Sequence, residues 1–592
     1  MIEARFDDLT GREPSFRLTE PVGVLEASRP AEVAGVLGAA EASAARGLWV
    51  AGFVAYEAAP GLDPALQVRD RPPGDPFAAL PLAWFAMFEG RQDTVLPEPP
   101  AADTVPDAAA WEPSVDRGAY SAAIDRIHEH IAAGDTYQVN HTLRLRARIA
   151  GDPRGLYRDL CYAQRGAYAA YLDLGRYRVL SASPELFFRI DGATVTTKPM
   201  KGTAPRGRWL AEDEVIRAAL QGSVKERAEN AMIVDLLRND LGRVAVPGSV
   251  RWSDVFEAER FETVWQLTST VRAEIGPTAS LTDVFRALFP SGSVTGAPKV
   301  STMAIIAGLE DSPRGPYCGT VGFLAPAGAE APRARFNVAI RTVVHDPETG
   351  VAEYGVGGGI TWDSRAGAEY GETVAKARVL TARRPPFRLL ETLAHVPGKG
   401  YRHLDDHLER LTASAAYHGF AFDEAGFRRS LEREAARFPA KVARVRVLLD
   451  RRGRIETGAA PLAERATPVR LAIDLAWPVD PADPMLAHKT TARERYDEAA
   501  LRFPAADDVV LVNTRGEVTE TTRENIAAWI GGRWLTPPAD AGLLQGCERA
   551  ALLREGTIEE RTITIDDLLG AEEIAVCNSV RGWRPATLEP QA

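Results

Sequence analysis

Lys201 is the residue of this sequence whose surroundings indicate the most specific chemistry. It lies in residues 197–203 (Thr-Lys-Pro-Met-Lys-Gly-Thr), directly after the alternating segment 193–197, whose pattern predicts a β-strand. A lysine that loses its proton is a nucleophile, and a nucleophile beside a metal ion indicates covalent catalysis on an anionic substrate. The alternative is an ordinary solvated lysine in a turn.

Two pairs of glutamates with the same spacing predict the metal site. Glu226 and Glu229 lie in residues 224–240, whose apolar residues repeat with a helical period. That period places both carboxylates on the apolar face of the helix, together with Ile233 and Leu237. Because burial of two unpaired carboxylates is costly, we expect a cation to meet them.

Glu369 and Glu372 repeat the spacing in residues 366–380, in the same helical sector as Lys376. Two helices that each present inward acids form an oxygen-rich pocket, which is typical of Mg²⁺ sites. Each pair alone is equally compatible with acids on an exposed helix surface. The two pairs together favour the metal site.

Two glycine-rich turns, at residues 291–299 and 355–361, accompany these helices. Glycine lets backbone N–H groups approach an anion, and neither turn has the spacing of a P-loop, so a carboxylate fits better than a nucleotide. Arginine is suited to bidentate contact with a carboxylate. The residues predicted to bind substrate are Thr295, Gly296, Arg341, Gly357, Gly358, Gly359 and Lys376.

The elements that position these residues belong to a long chain of globular composition. With 592 residues, 45% apolar and 26% charged, the chain predicts two or three soluble domains. Its net charge of -11 argues against a nucleic-acid partner. No secretory signal or membrane span is expected, and four cysteines without metal or redox spacing predict reduced thiols in a cytoplasmic protein. These are Cys161, Cys318, Cys547 and Cys577.

Two proline-rich stretches predict the boundaries between domains. Residues 1–95 form the N-terminal part of a first catalytic domain, residues 96–112 a linker or loop, and residues 113–381 the rest of that domain. Residues 382–387 are a second linker, and residues 388–592 a second domain.

Six segments of the first domain, in order, resemble the chorismate-utilising enzymes, which include anthranilate synthase, isochorismate synthase and aminodeoxychorismate synthase component I. The resemblance implies a mixed α/β (α+β) fold, with a two-sheet β sandwich and surrounding helices. It implies that Glu229 and Glu372 ligate Mg²⁺, and that Glu226 and Glu369 support catalysis directly or through water. The metal would hold the ring carboxylate of chorismate and assist loss of its 4-hydroxyl. The segments are 183–187 (Ser-Pro-Glu-Leu-Phe), 199–203, 226–240, 295–299 (Thr-Gly-Ala-Pro-Lys), 319–322 (Gly-Thr-Val-Gly) and 357–372.

Lys201 selects a branch within this resemblance, because anthranilate synthases carry a small residue there and aminodeoxychorismate synthases carry a lysine. By the resemblance, its amine attacks ring atom C2 as the 4-hydroxyl leaves, and ammonia then adds at C4 and expels the lysine. The attack needs a neutral amine, so we expect a desolvated or cation-flanked setting. Gln266 stands where many relatives carry histidine, which weakens any mechanism that needs an acid or base there.

The ammonia is expected to come from a separate glutamine amidotransferase chain. None of the four cysteines lies in the Gly-x-Cys-x-Gly elbow that resembles the nucleophile of such an enzyme.

Residues 388–590 resemble the fold-type IV pyridoxal-phosphate enzymes, which include branched-chain and D-amino-acid aminotransferases and aminodeoxychorismate lyase. The resemblance rests on the order of residues 401–411, 486–491 (Leu-Ala-His-Lys-Thr-Thr), 516–526, 535–546 and 577–583. It implies a two-subdomain fold in which Lys489 forms the cofactor imine and shuttles protons, while Glu520 pairs with the pyridinium nitrogen. Arg402 and the turns containing Leu544, Gly546, Ser579 and Val580 would hold the cofactor phosphate. A homodimer through this domain is a further expectation.

The fusion of the two domains favours consecutive reactions. The first would convert chorismate to 4-amino-4-deoxychorismate, and the second would eliminate pyruvate to give 4-aminobenzoate, for folate or a specialised aromatic product. One alternative is an anthranilate- or isochorismate-forming enzyme fused to an amino-acid aminotransferase, against which Lys201 argues. Another is a non-catalytic chorismate-binding regulatory chain, against which the four glutamates, Lys201 and Lys489 argue.

Overall fold

The computed structural model of the chain describes residues 2–99, 111–381 and 386–589. The chain forms two compact units: unit 1 comprises Met1–Pro205 and Arg217–Pro385, and unit 2 comprises Arg206–Ile216 and Pro386–Ala592. The predicted linkers 96–112 and 382–387 lie partly outside the described residues. Residues 206–216, which the sequence prediction assigned to the first domain, group with unit 2.

Unit 1 contains two ten-stranded sheets within the described residues. The strands are β1 (Glu3–Asp7), β2 (Phe16–Thr19), β3 (Gly23–Ala27), β4 (Trp49–Val54), β5 (Ala83–Phe88), β6 (Gln92–Asp93), β7 (Glu112–Pro113), β8 (Gln138–Arg148), β9 (Tyr168–Asp173), β10 (Arg178–Ser183), β11 (Leu186–Asp191), β12 (Thr194–Lys198), β13 (Met200–Pro205), β14 (Arg251–Arg260), β15 (Val264–Glu274), β16 (Gly296–Ala297), β17 (Thr320–Leu324), β18 (Ala334–Val338), β19 (Thr342–Asp346) and β20 (Val351–Ile360).

The first sheet has the order β16-β8-β20-β19-β10-β9-β1-β2-β6, with β7 beside β8, and the second has the order β13-β15-β12-β11-β18-β17-β4-β5-β3, with β14 beside β15. An aromatic cluster joins their inner faces. The rings of Phe6 and Phe16 from the first sheet meet the ring of Phe323 from the second edge to face, at 5.0 and 5.2 Å between centroids. This packing confirms the predicted two-sheet sandwich.

Helices surround the sandwich. They are α1 (Pro30–Ala45), α2 (Arg117–Ala133), α3 (Pro153–Gln164), α5 (Val224–Gly242), α6 (Leu281–Leu288), α7 (Lys299–Leu309) and α8 (Ala366–Ala377). Helix α4 (Leu210–Gly222) has residues 210–216 in unit 2 and residues 217–222 in unit 1. Helix α5 begins at the N-cap Ser223, whose hydroxyl accepts from the Glu226 N–H at 3.3 Å. It buries Ile233 and Leu237 and exposes Asp235, as its periodicity predicts. The face that carries Glu226 and Glu229 therefore turns toward the sheet.

Unit 2 contains a four-stranded sheet of order β22-β21-β23-β24 and an eight-stranded sheet of order β27-β26-β25-β32-β31-β28-β29-β30. Each has its own apolar core, which confirms the predicted two subdomains. The strands are β21 (Leu389–Val396), β22 (Gly400–Tyr401), β23 (Ala443–Leu449), β24 (Ile455–Pro461), β25 (Val469–Val479), β26 (Asp508–Asn513), β27 (Val518–Thr521), β28 (Asn525–Ile530), β29 (Arg533–Thr536), β30 (Glu559–Glu560), β31 (Glu573–Asn578) and β32 (Gly582–Leu588), and the helices are α9 (Leu404–His418), α10 (Glu424–Ala436), α11 (Glu494–Arg502), α12 (Cys547–Arg554) and α13 (Ile565–Leu569).

Residues 206–216 are anchored inside unit 2 by polar contacts with α9. The Arg206 guanidinium donates to the Asp213 carboxylate at 2.7 Å and to the Tyr417 carbonyl at 2.9 Å, and it lies 4.2 Å from the centre of the Tyr417 ring. The Tyr417 hydroxyl in turn donates to the Gly207 carbonyl at 2.6 Å. These reciprocal bonds tie the segment to α9.

Within residues 2–99, 111–381 and 386–589, no helix is both long and apolar enough to span a bilayer. The four cysteines are unpaired with one another and buried.

Candidate active sites

Unit 1 encloses a cavity of about 250 Å³ that is lined by Lys201 and by both predicted glutamate pairs. Lys201 lies on β13, next to Gly202, whose φ of +95° favours glycine. A Cβ atom added to Gly359 on β20 would lie 2.9 Å from the Lys201 Nζ. The amine therefore rests against a stretch of bare backbone that only glycine provides.

The setting of Lys201 makes its amine easier to deprotonate than that of a solvated lysine. Burial lowers the pKa of the amine, and the nearby charge of Lys376 lowers it further, against the opposing carboxylates of Glu229, Glu185 and Glu372. Burial and a flanking cation are the two conditions that a nucleophilic lysine requires.

The four glutamates enter this cavity from two helices, with Glu226 and Glu229 on α5 and Glu369 and Glu372 on α8. Burial, followed by repulsion from Glu226, raises the pKa of Glu229, and burial with repulsion from Glu372 raises that of Glu369. Burial alone would also raise the pKa of Glu372, but Lys376, 2.7 Å away, holds it below its ordinary value. The carboxylates repel one another across the cavity.

This donor set has the chemistry of a site for a divalent cation. Four carboxylates line one cavity, and repulsion from their neighbours helps to raise the pKa of Glu229 and of Glu369. A bound Mg²⁺ would relieve this repulsion. In the arrangement of the described side chains, no three potential ligands converge on one point, and Glu372 pairs with Lys376 instead. The residues suit the ion, and their side chains would have to turn toward it.

Glu185 is a further candidate site residue, and it was not among the residues predicted from the sequence. It follows β10, is buried and lines the cavity, and one of its carboxylate oxygens has no hydrogen-bond partner among the described residues. Burial raises the pKa of Glu185 to about 7, against a hydrogen bond from Ser293 and the charge of Lys201. The residue belongs to the Ser-Pro-Glu-Leu-Phe segment, but a single glutamate there gave no spacing signal.

Of the predicted substrate-binding residues, Arg341, Gly357, Gly358, Gly359 and Lys376 line the cavity. The Lys376 Nζ donates to the Gly357 carbonyl at 3.0 Å, and the Arg341 guanidinium donates to the Lys376 carbonyl. Hydrogen bonds thus connect the glycine-rich backbone of β20 with the two cationic side chains that line the cavity.

Thr295 and Gly296 are placed differently from the prediction, because they are not among the described residues that line the cavity. The Thr295 hydroxyl is buried and donates to the Ser291 carbonyl at 3.1 Å. A Cβ on Gly296 would lie 2.0 Å from the Gln138 carbonyl oxygen. These two residues hold the turn against β8, and their neighbours Ser293 and Val294 face the cavity.

Gln266, the departure noted in the sequence, lines the cavity from β15. Its side-chain amide donates to the Thr203 hydroxyl at 2.9 Å. A side-chain amide neither gains nor loses a proton near neutral pH, so this position supplies neither a general acid nor a general base.

Unit 2 encloses a second cavity, of about 370 Å³, which brings together Lys489, Glu520, Leu544, Gly546, Ser579 and Val580. Burial lowers the pKa of Lys489 from 10.5 to about 8, with help from the charge of Arg410. Burial raises the pKa of Glu520 to about 7, although its carboxylate accepts from the Tyr496 hydroxyl at 3.0 Å. A half-buried lysine and a buried carboxylate therefore share one cavity.

Arg410, rather than Arg402, is the arginine that α9 brings to this cavity. Arg402 closes the β21–β22 hairpin before the helix begins and lies near Gly582, 3.6 Å from where a Cβ would stand there. Arg410 lies two turns into α9, pairs with Glu391 at 2.6 Å and donates to the Gln545 carbonyl at 3.2 Å. The structure therefore places Arg410, and not the predicted Arg402, among the described residues that line this cavity.

Comparison with known proteins identifies relatives of both units. Residues 12–382 match the chorismate binding enzyme family, and residues 388–588 match the amino-transferase class IV family. An aminodeoxychorismate synthase of Streptomyces griseus is 43% identical over 304 residues, which are 51% of this chain and 40% of that protein. Aminodeoxychorismate synthase component 1 of Salmonella typhimurium is 40% identical over 268 residues, which are 45% of this chain and 58% of that protein. The chain thus spans about half the length of these curated relatives.

A solved structure agrees with the fold of unit 1. The crystal structure of anthranilate synthase component I from Streptococcus pneumoniae is 25% identical and superposes with a TM-score of 0.53, covering 64% of this chain and 92% of that one. The family match alone extends over more than half of the sequence. The chain therefore belongs to the chorismate binding enzymes, and it carries a class IV amino-transferase domain after the chorismate-binding part.

Proposed function

We propose that this chain performs two consecutive reactions, amination of chorismate to 4-amino-4-deoxychorismate in unit 1 and elimination of pyruvate to give 4-aminobenzoate in unit 2. The observation that carries the proposal is the position of Lys201, a lysine with a lowered pKa, in the same cavity as four glutamates. The names of the Streptomyces and Salmonella relatives support the same branch.

In unit 1, the neutral Lys201 amine attacks ring atom C2 of chorismate while the C4–O bond breaks. Glu185, whose pKa of about 7 keeps much of it protonated near neutral pH, gives its proton to the leaving oxygen, which departs as water. Ammonia then forms a bond to C4, the C2–N bond breaks, and Lys201 returns to its free amine. Gly359 leaves room for the amine to reach the ring.

Mg²⁺ would be held by Glu229 and Glu372, with Glu226 and Glu369 supporting them directly or through water. The ion supplies positive charge that binds the ring carboxylate and favours departure of the hydroxyl. Release of Lys376 from Glu372 would accompany its binding, and Arg341 and the backbone of Gly357–Gly359 would hold the remaining anionic groups.

In unit 2, Lys489 would hold pyridoxal phosphate through its Nζ, and Glu520 would face the pyridine nitrogen. The phosphate would meet Arg410 and the backbone N–H groups near Leu544, Gly546, Ser579 and Val580. When bound, the cofactor acts as the electron sink of the reaction. Lys489 takes the proton from C4 of the substrate, the C3–O bond breaks with its electrons on the oxygen, and the ring becomes aromatic. The enolpyruvate that leaves takes up a proton at its methylene carbon and becomes pyruvate.

Ammonia would come from a separate glutamine amidotransferase. Burial raises the pKa of all four thiols, that of Cys318 to about 11 and those of Cys547 and Cys577 to about 12, so none is set to act as a nucleophile. The Salmonella relative is itself named as one component of its synthase.

Product analysis tests the proposal directly. The chain is incubated with chorismate, Mg²⁺, pyridoxal phosphate and ammonium at alkaline pH, and products are separated by mass-resolved chromatography. We expect 4-aminobenzoate and pyruvate in equal amounts. Anthranilate, or isochorismate without incorporated nitrogen, would contradict the role of Lys201 and assign the chain to another branch.

A further inference from the structure

The cavity of unit 2 contains more positive charge than its cofactor requires. Besides Lys489 and Arg410, six arginines line it, and none of the six has an ion pair with a carboxylate in the part of the chain that the structure describes. An unpaired guanidinium in a concave site is typical of anion recognition. These six are Arg444, Arg446, Arg465, Arg493, Arg523 and Arg581.

Arg444 and Arg446 stand on one face of β23. They alternate with the buried Val445 and Val447, so both guanidinium groups project from the same side of the four-stranded sheet. Side chains two residues apart on a strand are separated by about 7 Å. The two guanidinium groups can therefore contact two separate anionic groups of one small molecule.

Small neighbours leave these two arginines uncovered. Arg444 lies between Ala394 on β21 and Ala460 on β24, and Arg446 lies between Thr392 and Gly458. No carboxylate occupies a directly opposite position, where opposite charge would normally stabilise the sheet. The local sequence thus keeps both guanidinium groups available to a ligand.

Arg465 and Arg581 add charge to the same cavity. Burial lowers the pKa of Arg581, and the charges of Arg465, Arg584 and Arg444 lower it further. The carboxylate whose charge opposes this lowering, Glu524, is already paired with Arg584. Repulsion among these guanidinium groups would be relieved by a bound anion.

The phosphate of the cofactor accounts for only part of this charge. It would take Arg410 and the backbone N–H groups of the turns, and the carboxylate of an amino acid with an apolar side chain would take a single further arginine. We propose that Arg444, Arg446, Arg465 and Arg581 bind the two carboxylates of a dianionic substrate and select it over monocarboxylic amino acids. The inference rests on the proposed function, in which 4-amino-4-deoxychorismate brings a ring carboxylate and an enolpyruvyl carboxylate to this cavity.

The test measures binding of benzene-1,3-dicarboxylate and of benzoate to the full chain saturated with pyridoxal phosphate, by isothermal titration calorimetry. Arg444→Gln, Arg446→Gln and Arg581→Gln change unit 2 only, so a lost binding event reports on this cavity. We expect each to weaken binding of the dicarboxylate by about 10- to 100-fold and that of benzoate by less. Arg446→Lys should fall between, because it keeps the charge and loses the fork of donors.

Arg452→Gln is the matched control, since Arg452 is an exposed arginine of the same unit that lies outside the cavity. It should bind both probes like the parent chain. Thermal unfolding and the absorbance of the bound cofactor should be unchanged in every variant that is compared. Dicarboxylate binding that is equal in the parent chain and in all the glutamine variants would overturn the proposal.

Kinetic measurements distinguish a failure of this dianion site from a failure of the proposed function. With purified 4-amino-4-deoxychorismate, the glutamine variants should raise KM by about 10-fold or more and change kcat by less. A chain that binds the dicarboxylate through these arginines but makes no 4-aminobenzoate would refute the lyase assignment and keep the dianion site. A chain that makes 4-aminobenzoate with unchanged KM in the variants would refute the site alone.

Discussion

The two cavities use the same residue type, a half-buried lysine with a lowered pKa, in opposite electrostatic surroundings. Lys201 shares its cavity with five carboxylates, and these face three other cations among the described lining residues. Lys489 shares its cavity with seven arginines and two carboxylates. Among the described lining residues, acidic groups therefore outnumber basic ones in the first cavity, and basic groups outnumber acidic ones in the second. This difference supports the proposed metal ion in the first cavity and the proposed phosphate and carboxylates in the second. Burial lowers the pKa of both lysines, and the neighbouring charges determine which ligands each cavity takes.

The largest expected effect is that of Lys489→Ala. Without the Nζ that holds the cofactor and takes the C4 proton, conversion of 4-amino-4-deoxychorismate to 4-aminobenzoate should fall by about 10³-fold or more. Absorbance of the bound cofactor should be lost, and 4-amino-4-deoxychorismate should accumulate from chorismate. Lys399→Ala, at an exposed turn of the same unit, is the control. Continued 4-aminobenzoate formation by the Lys489 variant would contradict the lyase assignment.

Lys201→Ala should affect only the other cavity. We expect amination of chorismate to fall by about 10²-fold or more, because the covalent step is lost, while supplied 4-amino-4-deoxychorismate is still converted. Both rates are measured by product chromatography. Lys198→Ala, which removes a neighbouring lysine paired with Glu259, should keep both reactions. If the Lys201 variant aminated chorismate normally, the nucleophile would have to be sought elsewhere.

A smaller effect is expected from the carboxylates that would bind the metal. Glu372→Gln should raise the Mg²⁺ concentration for half-maximal amination by about 10- to 100-fold, whereas Asp235→Asn on the exposed face of α5 should not. Removal of Mg²⁺ with a chelator should stop amination and leave the second reaction intact. Amination that persists in the presence of the chelator would contradict the proposed Mg²⁺ requirement of the first reaction.

The smallest effect is a pH dependence of cofactor uptake in unit 2. Only the neutral Lys489 amine reacts with pyridoxal phosphate, and its pKa is lowered from 10.5 to about 8. The rate of uptake by the apoprotein should therefore fall about tenfold per pH unit below pH 8 and level off above it. Glu520→Gln should move the midpoint to lower pH, because the Glu520 charge raises the pKa of Lys489. Uptake that still rises steeply at pH 10 would show an unperturbed lysine.

Much of the fold and both lysines could be predicted from local patterns. The helical period of α5 placed Glu226 and Glu229 on the inner face, and short segments around Lys201 and Lys489 indicated their families. The same patterns could not predict which of two nearby arginines lines the cavity of unit 2. Which of Arg402 and Arg410 reaches the cavity depends on where α9 begins, and that boundary has no periodic signal.

Glu185 and residues 206–216 could not be found for a different reason. The raised pKa of Glu185 comes from burial by the fold around it, which a single glutamate in the sequence does not reveal. The bonds between Arg206 or Gly207 and Tyr417 join residues that are about 210 positions apart. No periodicity or composition shift marks such a long-range contact.

The path of residues 206–216 has a consequence for attempts to separate the two activities. A gene cut near residue 385 would give an N-terminal fragment whose Arg206 and Gly207 lack the carbonyl and hydroxyl of Tyr417. The complementary C-terminal fragment would lose the same bonds, together with the Arg208 partner of Asp540. The two proposed reactions use separate cavities, yet a single cut between the two matched families would divide the folded body of unit 2.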